Sequence, residues 1–149
     1  MPEIRVKICG LKTEAEVAAV AVSGAAYMGL NFFAPSPRYV TLETARTLAL
    51  AAPVGLAKVA LTVDADDATL DAIVEAMPLD MLQLHGHESP ERVAQLRSRH
   101  GLPVMKVLGV RDEGDAPVPA TRRAAGRRVR RPAGGPRDGG NAVDGCVGR

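Results

Sequence analysis

The chain has 149 residues, 46% hydrophobic and only 3% aromatic, with a formal net charge of +2 and two cysteines. That length supports one domain with a core of its own, and two cysteines as distant as Cys9 and Cys146 exclude a disulfide framework and fit a reducing cytoplasm. No run is long and apolar enough for a membrane span, and the polar N-terminus does not read as a secretory signal.

The first strand is expected over Ile4–Cys9, where Ile4, Val6 and Ile8 alternate with Arg5 and Lys7 before Gly10. A helix follows over Thr13–Val22, with Thr13 as N-cap, acids at Glu14 and Glu16, and a stop at Gly24. The second strand is expected over Tyr27–Phe33, and Thr41 marks the start of a helix over Leu42–Ala51. The third strand, Gly55–Val63, leads into a helix over Asp67–Met77. The fourth, Met81–His85, precedes a helix over Pro90–His100, which Ser89 caps, Pro90 opens and Gly101 ends. The fifth strand is expected over Val104–Val110. The strands are rich in Val, Ile, Leu and Met, as parallel strands covered on both faces are.

The strand-plus-helix unit repeats about every 25 residues, which predicts an incomplete (β/α)8 barrel of about five strands and four helices. A flavodoxin-like open sheet of five strands is the competing architecture. Five strands cannot close an eight-stranded barrel, so two open edges are expected. A poorly stable or aggregation-prone chain follows, unless another half-barrel covers those edges.

The charge divides near Asp115. Residues 1–115 hold 11 Lys and Arg against 15 Asp and Glu; residues 116–149 hold 8 Arg against 2 Asp, with no Leu, Ile, Met or aromatic residue. The expected organisation is a partial barrel over 1–115 and a disordered Arg/Gly/Pro/Ala-rich tail over 116–149. A basic tail can bind nucleic acid. Without interleaved aromatics or a binding fold, no nucleic-acid partner is expected here. Arg, Gly, Pro and Ala have GC-rich codons, so a tail of this composition is what a GC-rich gene yields in a shifted reading frame, which would leave it unrelated to the barrel.

Three segments carry chemistry. Cys9 stands at the end of the first strand, where a thiolate serves as base or nucleophile, and Lys7 on the same strand face supplies a charge that favours it. A small buried hydrophobe is the other fate of a free Cys. The second strand runs into N-F-F-A-P-S-P-R-Y-V, where Pro35 and Pro37 stiffen the loop bearing Arg38, whose planar fork suits a carboxylate or phosphate. The fourth ends L-Q-L-H-G-H-E. There Gln83 and His85 share a face, while Leu82 and Leu84 turn to the helices. An inward Gln needs a hydrogen-bond partner. His85, His87 and Glu88 are a weak metal-site pattern, and no metal is expected. Asp64 and Asp66 read as a solvated loop and a helix start.

K-I-C-G-L-K-T, G-L-N-F-F-A-P-S-P-R-Y-V and L-Q-L-H-G-H-E, in this order and spacing, resemble the phosphoribosylanthranilate isomerase family over residues 3 to 112. The resemblance implies a (β/α)8 barrel acting in tryptophan biosynthesis. It implies an Amadori rearrangement of N-(5-phosphoribosyl)anthranilate to 1-(2-carboxyphenylamino)-1-deoxyribulose 5-phosphate, with a phosphorylated small molecule as partner and no cofactor. It makes Cys9 the general base, suits Arg38 to the anthranilate carboxylate, and places Gln83 and His85 near the substrate. The family's general acid, an aspartate in an L-L-D-[SA] motif after the sixth strand, has no counterpart in this sequence, nor do its Gly-rich phosphate loops. An inactive, truncated homologue is therefore expected. Another sugar-phosphate barrel enzyme is the alternative within the fold, and the nucleic-acid-binding tail is the alternative outside it.

Overall fold

The structure, a computed structural model, describes residues 4–110. The tail expected at 116–149 lies outside the described residues. The described elements are β1 (Lys7–Cys9), α1 (Glu14–Val22), β2 (Tyr27–Asn31), α2 (Leu42–Ala51), β3 (Ala57–Thr62), α3 (Asp67–Ala76), β4 (Met81–Leu84), α4 (Pro90–His100) and β5 (Val104–Lys106). All the strand pairs are parallel, in the order β1-β2-β3-β4-β5. A flavodoxin-like sheet would place β2 outside β1. Sequential order with a helix after each of the first four strands is the arrangement of an incomplete (β/α)8 barrel.

The helix starts follow from local chemistry. Thr13 and Glu16 form a reciprocal capping box: Glu16 N–H donates to Thr13 Oγ1 at 3.2 Å, and Thr13 N–H donates to Glu16 Oε2 at 3.0 Å. Thr41, Asp66 and Ser89 each accept from the backbone N–H three residues on. Gly101 ends α4 in the left-handed conformation at φ 65°, where its N–H reaches Arg97 O.

The strands are shorter than the sequence suggests, at the edges and in the middle of the sheet. β1 starts at Lys7 rather than Ile4, and β5 ends at Lys106 rather than Val110. Among the described residues each of these strands pairs on one side only, so half its backbone groups have no ladder to extend there. β3, paired on both sides, is the longest of the described strands, at 6 residues. α3 stops at Ala76 because Met77 turns to extended backbone.

Registered partners in a parallel sheet share a face. The outer face carries Met28, Leu30, Ala60 and Leu82, all buried against Val17, Val20, Ala45, Leu48 and Ile73 of the helices. Leu84 packs with Leu70 of α3 and Leu96 of α4. Each such Leu contributes about 2 kcal/mol by leaving water. The inner face carries Lys7, Cys9, Gly29, Val59 and Gln83. On β1, Ile8 points to the helix side, yet it is 38% exposed because no helix covers that edge among the described residues.

Candidate active site

Cys9 ends β1 on the inner face, half-buried and reduced. Its neighbour across the ladder is Gly29. A Cβ at Gly29 would lie 2.8 Å from Cys9 Sγ, so only glycine there leaves room for the thiol. Among the described residues Sγ makes no hydrogen bond.

Arg38 is brought to the same strand end. A Cβ on Gly10 would lie 2.5 Å from Arg38 Cδ and 3.1 Å from Cγ, so the Arg38 stem lies directly over the residue after Cys9. Gly10 has φ +82°, which a side chain would strain in any case. The loop that delivers Arg38 is fixed internally. Asn31 Nδ2 donates to Ser36 Oγ at 3.1 Å, Phe33 N–H donates to Asn31 Oδ1 at 2.8 Å, and Arg38 N–H donates to Ser36 Oγ at 3.2 Å. Lys12 Nζ reaches Pro37 O at 3.2 Å and ties this loop to the one after β1. The Arg38 side chain is exposed, and among the described residues its guanidinium has no partner.

Gln83 is 4% exposed on the inner face, and its side-chain carbonyl accepts from Lys7 Nζ. The Lys7 ammonium is thus held by Gln83, on the same sheet face as Cys9. His85 lies just past β4, exposed, with its N–H donating to Thr62 O at 2.9 Å. The structure therefore groups Cys9 with Arg38 at the end of β1, and sets Gln83 deep on the inner face with His85 at the rim of β4.

The loops after β3 and β4 are joined by a charged cluster. Glu88 Oε1 accepts from Asp64 N–H at 3.0 Å, and Oε2 accepts from Gly86 N–H and Lys106 Nζ, each at 2.9 Å. Asp64 in turn accepts from His87 N–H at 2.5 Å and lies 3.0 Å from His87 Nδ1. Burial pushes the Glu88 carboxyl up, but hydrogen bonds from Lys106 and the backbone, with the Lys106 charge, outweigh it and hold the group below its ordinary range. Hydrogen bonds from the His87 side chain and backbone hold Asp64 low in the same way. Asp64 lies in an exposed loop, as the sequence suggested, and is in addition a hydrogen-bond partner of His87 there. The weak metal pattern disperses: Glu88 turns to Lys106 and His87 to Asp64, and no group of three potential ligands converges among the described residues.

Gly29 and Lys106 were not singled out by sequence reasoning, Gly10 was noted only as following Cys9, and Asp64 only as part of a solvated loop. A lone glycine inside β2 is a signal of close approach and could have pointed to Gly29. The Lys106 pairing spans 18 residues and has no local signal.

No described helix is long and apolar enough to cross a membrane. The family model for N-(5'-phosphoribosyl)anthranilate (PRA) isomerase matches residues 6–128, which includes part of the stretch expected to be unrelated. The N-(5'-phosphoribosyl)anthranilate isomerase of Cereibacter sphaeroides is 71% identical over 117 residues, covering 78% of this chain and 55% of the relative. That of Chelativorans sp. is 49% identical over 145 residues, covering 95% of this chain and 66% of the relative. The chain spans about half the length of several curated relatives it matches, at 55%, 54% and 52%. The Thermotoga maritima phosphoribosyl anthranilate isomerase superposes with a TM-score of 0.72 at 30% identity, over 82% of this chain and 56% of that one. A crystal structure of a phosphoribosyl anthranilate isomerase in complex with reduced 1-(o-carboxyphenylamino)-1-deoxyribulose 5-phosphate gives the same TM-score, over 59% of that chain. With the motif residues gathered on one parallel half-barrel and most of the sequence matched, the chain belongs to the N-(5'-phosphoribosyl)anthranilate isomerase family.

Proposed function

We propose that this chain carries the proton-abstracting and carboxylate-binding part of a phosphoribosylanthranilate isomerase site, within a partial barrel over residues 1–115. Cys9, as thiolate, takes the C2′ proton of the ring-opened Schiff base. The C–H electron pair forms the C1′–C2′ double bond, and the imine pair moves onto nitrogen, giving an enolamine that becomes the ketone. Arg38 pairs with the anthranilate carboxylate, for which its fork geometry is suited. Gln83 and His85 lie near the substrate. The substrate is a phosphorylated small molecule, the chemistry needs no cofactor, and the compartment is the cytoplasm.

The observation that carries this reading is the Arg38 stem over Gly10, one residue from Cys9. A base and an anion-binding fork thereby share one strand end, as a substrate with an acidic aromatic ring beside its sugar requires. The ring-opening acid has no motif in this sequence, so the chain alone is proposed to bind without completing turnover. Expression in a tryptophan auxotroph lacking the isomerase tests that part. No rescue is expected. Rescue that Cys9→Ala abolishes would support the base and overturn the inactivity.

A further inference from the structure

We infer that Glu88 is a positioning residue of the site: clamped to Lys106, its carboxylate fixes the backbone on which His85 is presented. The inference rests on the proposed reading in which His85 borders the ligand.

The Glu88 side chain is only 5% exposed although it belongs to a surface loop. A carboxylate leaves water at a large cost unless every lone pair is used. Here both oxygens are used, and by three different strand ends. Asp64 follows β3, Gly86 follows β4, and Lys106 closes β5. Lys106 Nζ also donates to Gly86 O, so Gly86 is held at both its backbone groups. A Cβ on Gly86 would overlap the Asp64 carboxylate, so glycine there lets the two loops lie this close. Asp64 adopts φ 47°, a left-handed conformation that Asp tolerates better than most side chains and that turns the loop toward Gly86.

His85 sits between two fixed points. Its own N–H makes the last ladder bond, to Thr62 O, and the next residue is Gly86 in the clamp. Its side chain is exposed while the backbone on both sides is held. A carboxylate that merely stabilised the fold would do so anywhere in the core. This one sits at the strand ends, where barrel chemistry takes place.

The test uses the full chain with Glu88→Gln, Lys106→Met and Arg38→Ala. Amide hydrogen exchange is read at Gly86 and Asp64, with Gly29 and Ala60 as core references. Loss of a charge-assisted clamp predicts exchange about tenfold faster at Gly86 and Asp64 in Glu88→Gln and Lys106→Met, with the references unchanged. Acceleration of all four amides together, or of none, overturns the clamp. Titration with reduced 1-(o-carboxyphenylamino)-1-deoxyribulose 5-phosphate, followed at the His85 ring resonance, then reads positioning. The clamp variants are expected to bind about tenfold more weakly. Arg38→Ala is expected to lose binding with Gly86 exchange unchanged. Equal binding by the unmutated chain and Glu88→Gln overturns the positioning role. If the unmutated chain shows no binding, the proposed site reading fails, and with it the role of Glu88 in binding, while the exchange result still decides whether the clamp exists.

Discussion

Lys7 and Gln83 meet across the inner face of the sheet: the ammonium on β1 donates to the side-chain carbonyl on β4, with β2 and β3 between them. In a flat sheet those strands would stand about 14 Å apart, and two side chains rising side by side would not touch. The contact therefore requires the sheet to curl toward its inner face, as a barrel arc does. It also satisfies a buried amide that would otherwise be costly.

Gln83→Leu should leave the Lys7 ammonium without its acceptor and cost about 1–3 kcal/mol in urea unfolding. Lys7→Met should cost a similar amount by orphaning Gln83. The double variant should recover a large part of the loss, because two apolar groups then face each other. Additive losses in the double-mutant cycle would show that the two side chains act independently.

Gly29→Ala places a Cβ 2.8 Å from Cys9 Sγ, 3.2 Å from Cys9 Cα and 3.3 Å from Cys9 Cβ. Overpacking of this kind costs about 1–3 kcal/mol. The accompanying shift of the thiol should change its rate of reaction with a disulfide reagent. Cys9→Ala in the same chain should relieve part of the cost, since the tightest contact is with sulfur. Unaltered stability and thiol reactivity in Gly29→Ala would refute the close approach.

Much of the fold was legible because its signals are local. Thr13, Thr41 and Ser89 each fix a helix start through a bond to a residue three positions on, and α2 and α4 have the expected bounds. The strand ends were overestimated because Ile4, Leu108 and Val110 have strand-like side chains but no strand pairing among the described residues, while Val6 reaches β2 only through its carbonyl, which accepts from Ala26 and Tyr27 N–H. For the site, a strand-end thiol and a proline-stiffened Arg can be read from the chain. Their meeting over Gly10, the Lys7–Gln83 bond and the Glu88–Lys106 clamp cannot, because each joins residues far apart in sequence.

The capping box is testable by itself. Thr13→Ala removes the acceptor for Glu16 N–H and should lower stability by about 1 kcal/mol, read as a shift in the urea midpoint. Thr13→Ser keeps the acceptor and should keep the midpoint.

Glu88 sets part of the acid sensitivity. Its folded-state value lies below the ordinary 4.5, so its ionised form stabilises the fold above pH 4.5. That contribution is lost as the pH falls through the lowered folded-state value. Urea midpoints should therefore hold near neutrality and decline below about pH 4.5. Lys106→Met leaves burial less opposed and should shrink this decline. A decline of the same size in Lys106→Met would argue against the pair as its source.

Calorimetric titration of the chain with reduced 1-(o-carboxyphenylamino)-1-deoxyribulose 5-phosphate tests the central claim most directly. Saturable binding is expected for the unmutated chain and for Cys9→Ala, with at least about a tenfold loss in Arg38→Ala, the scale of a charge-assisted contact. Absence of binding, or equal binding by Arg38→Ala, would contradict the assignment of this strand end as the ligand site.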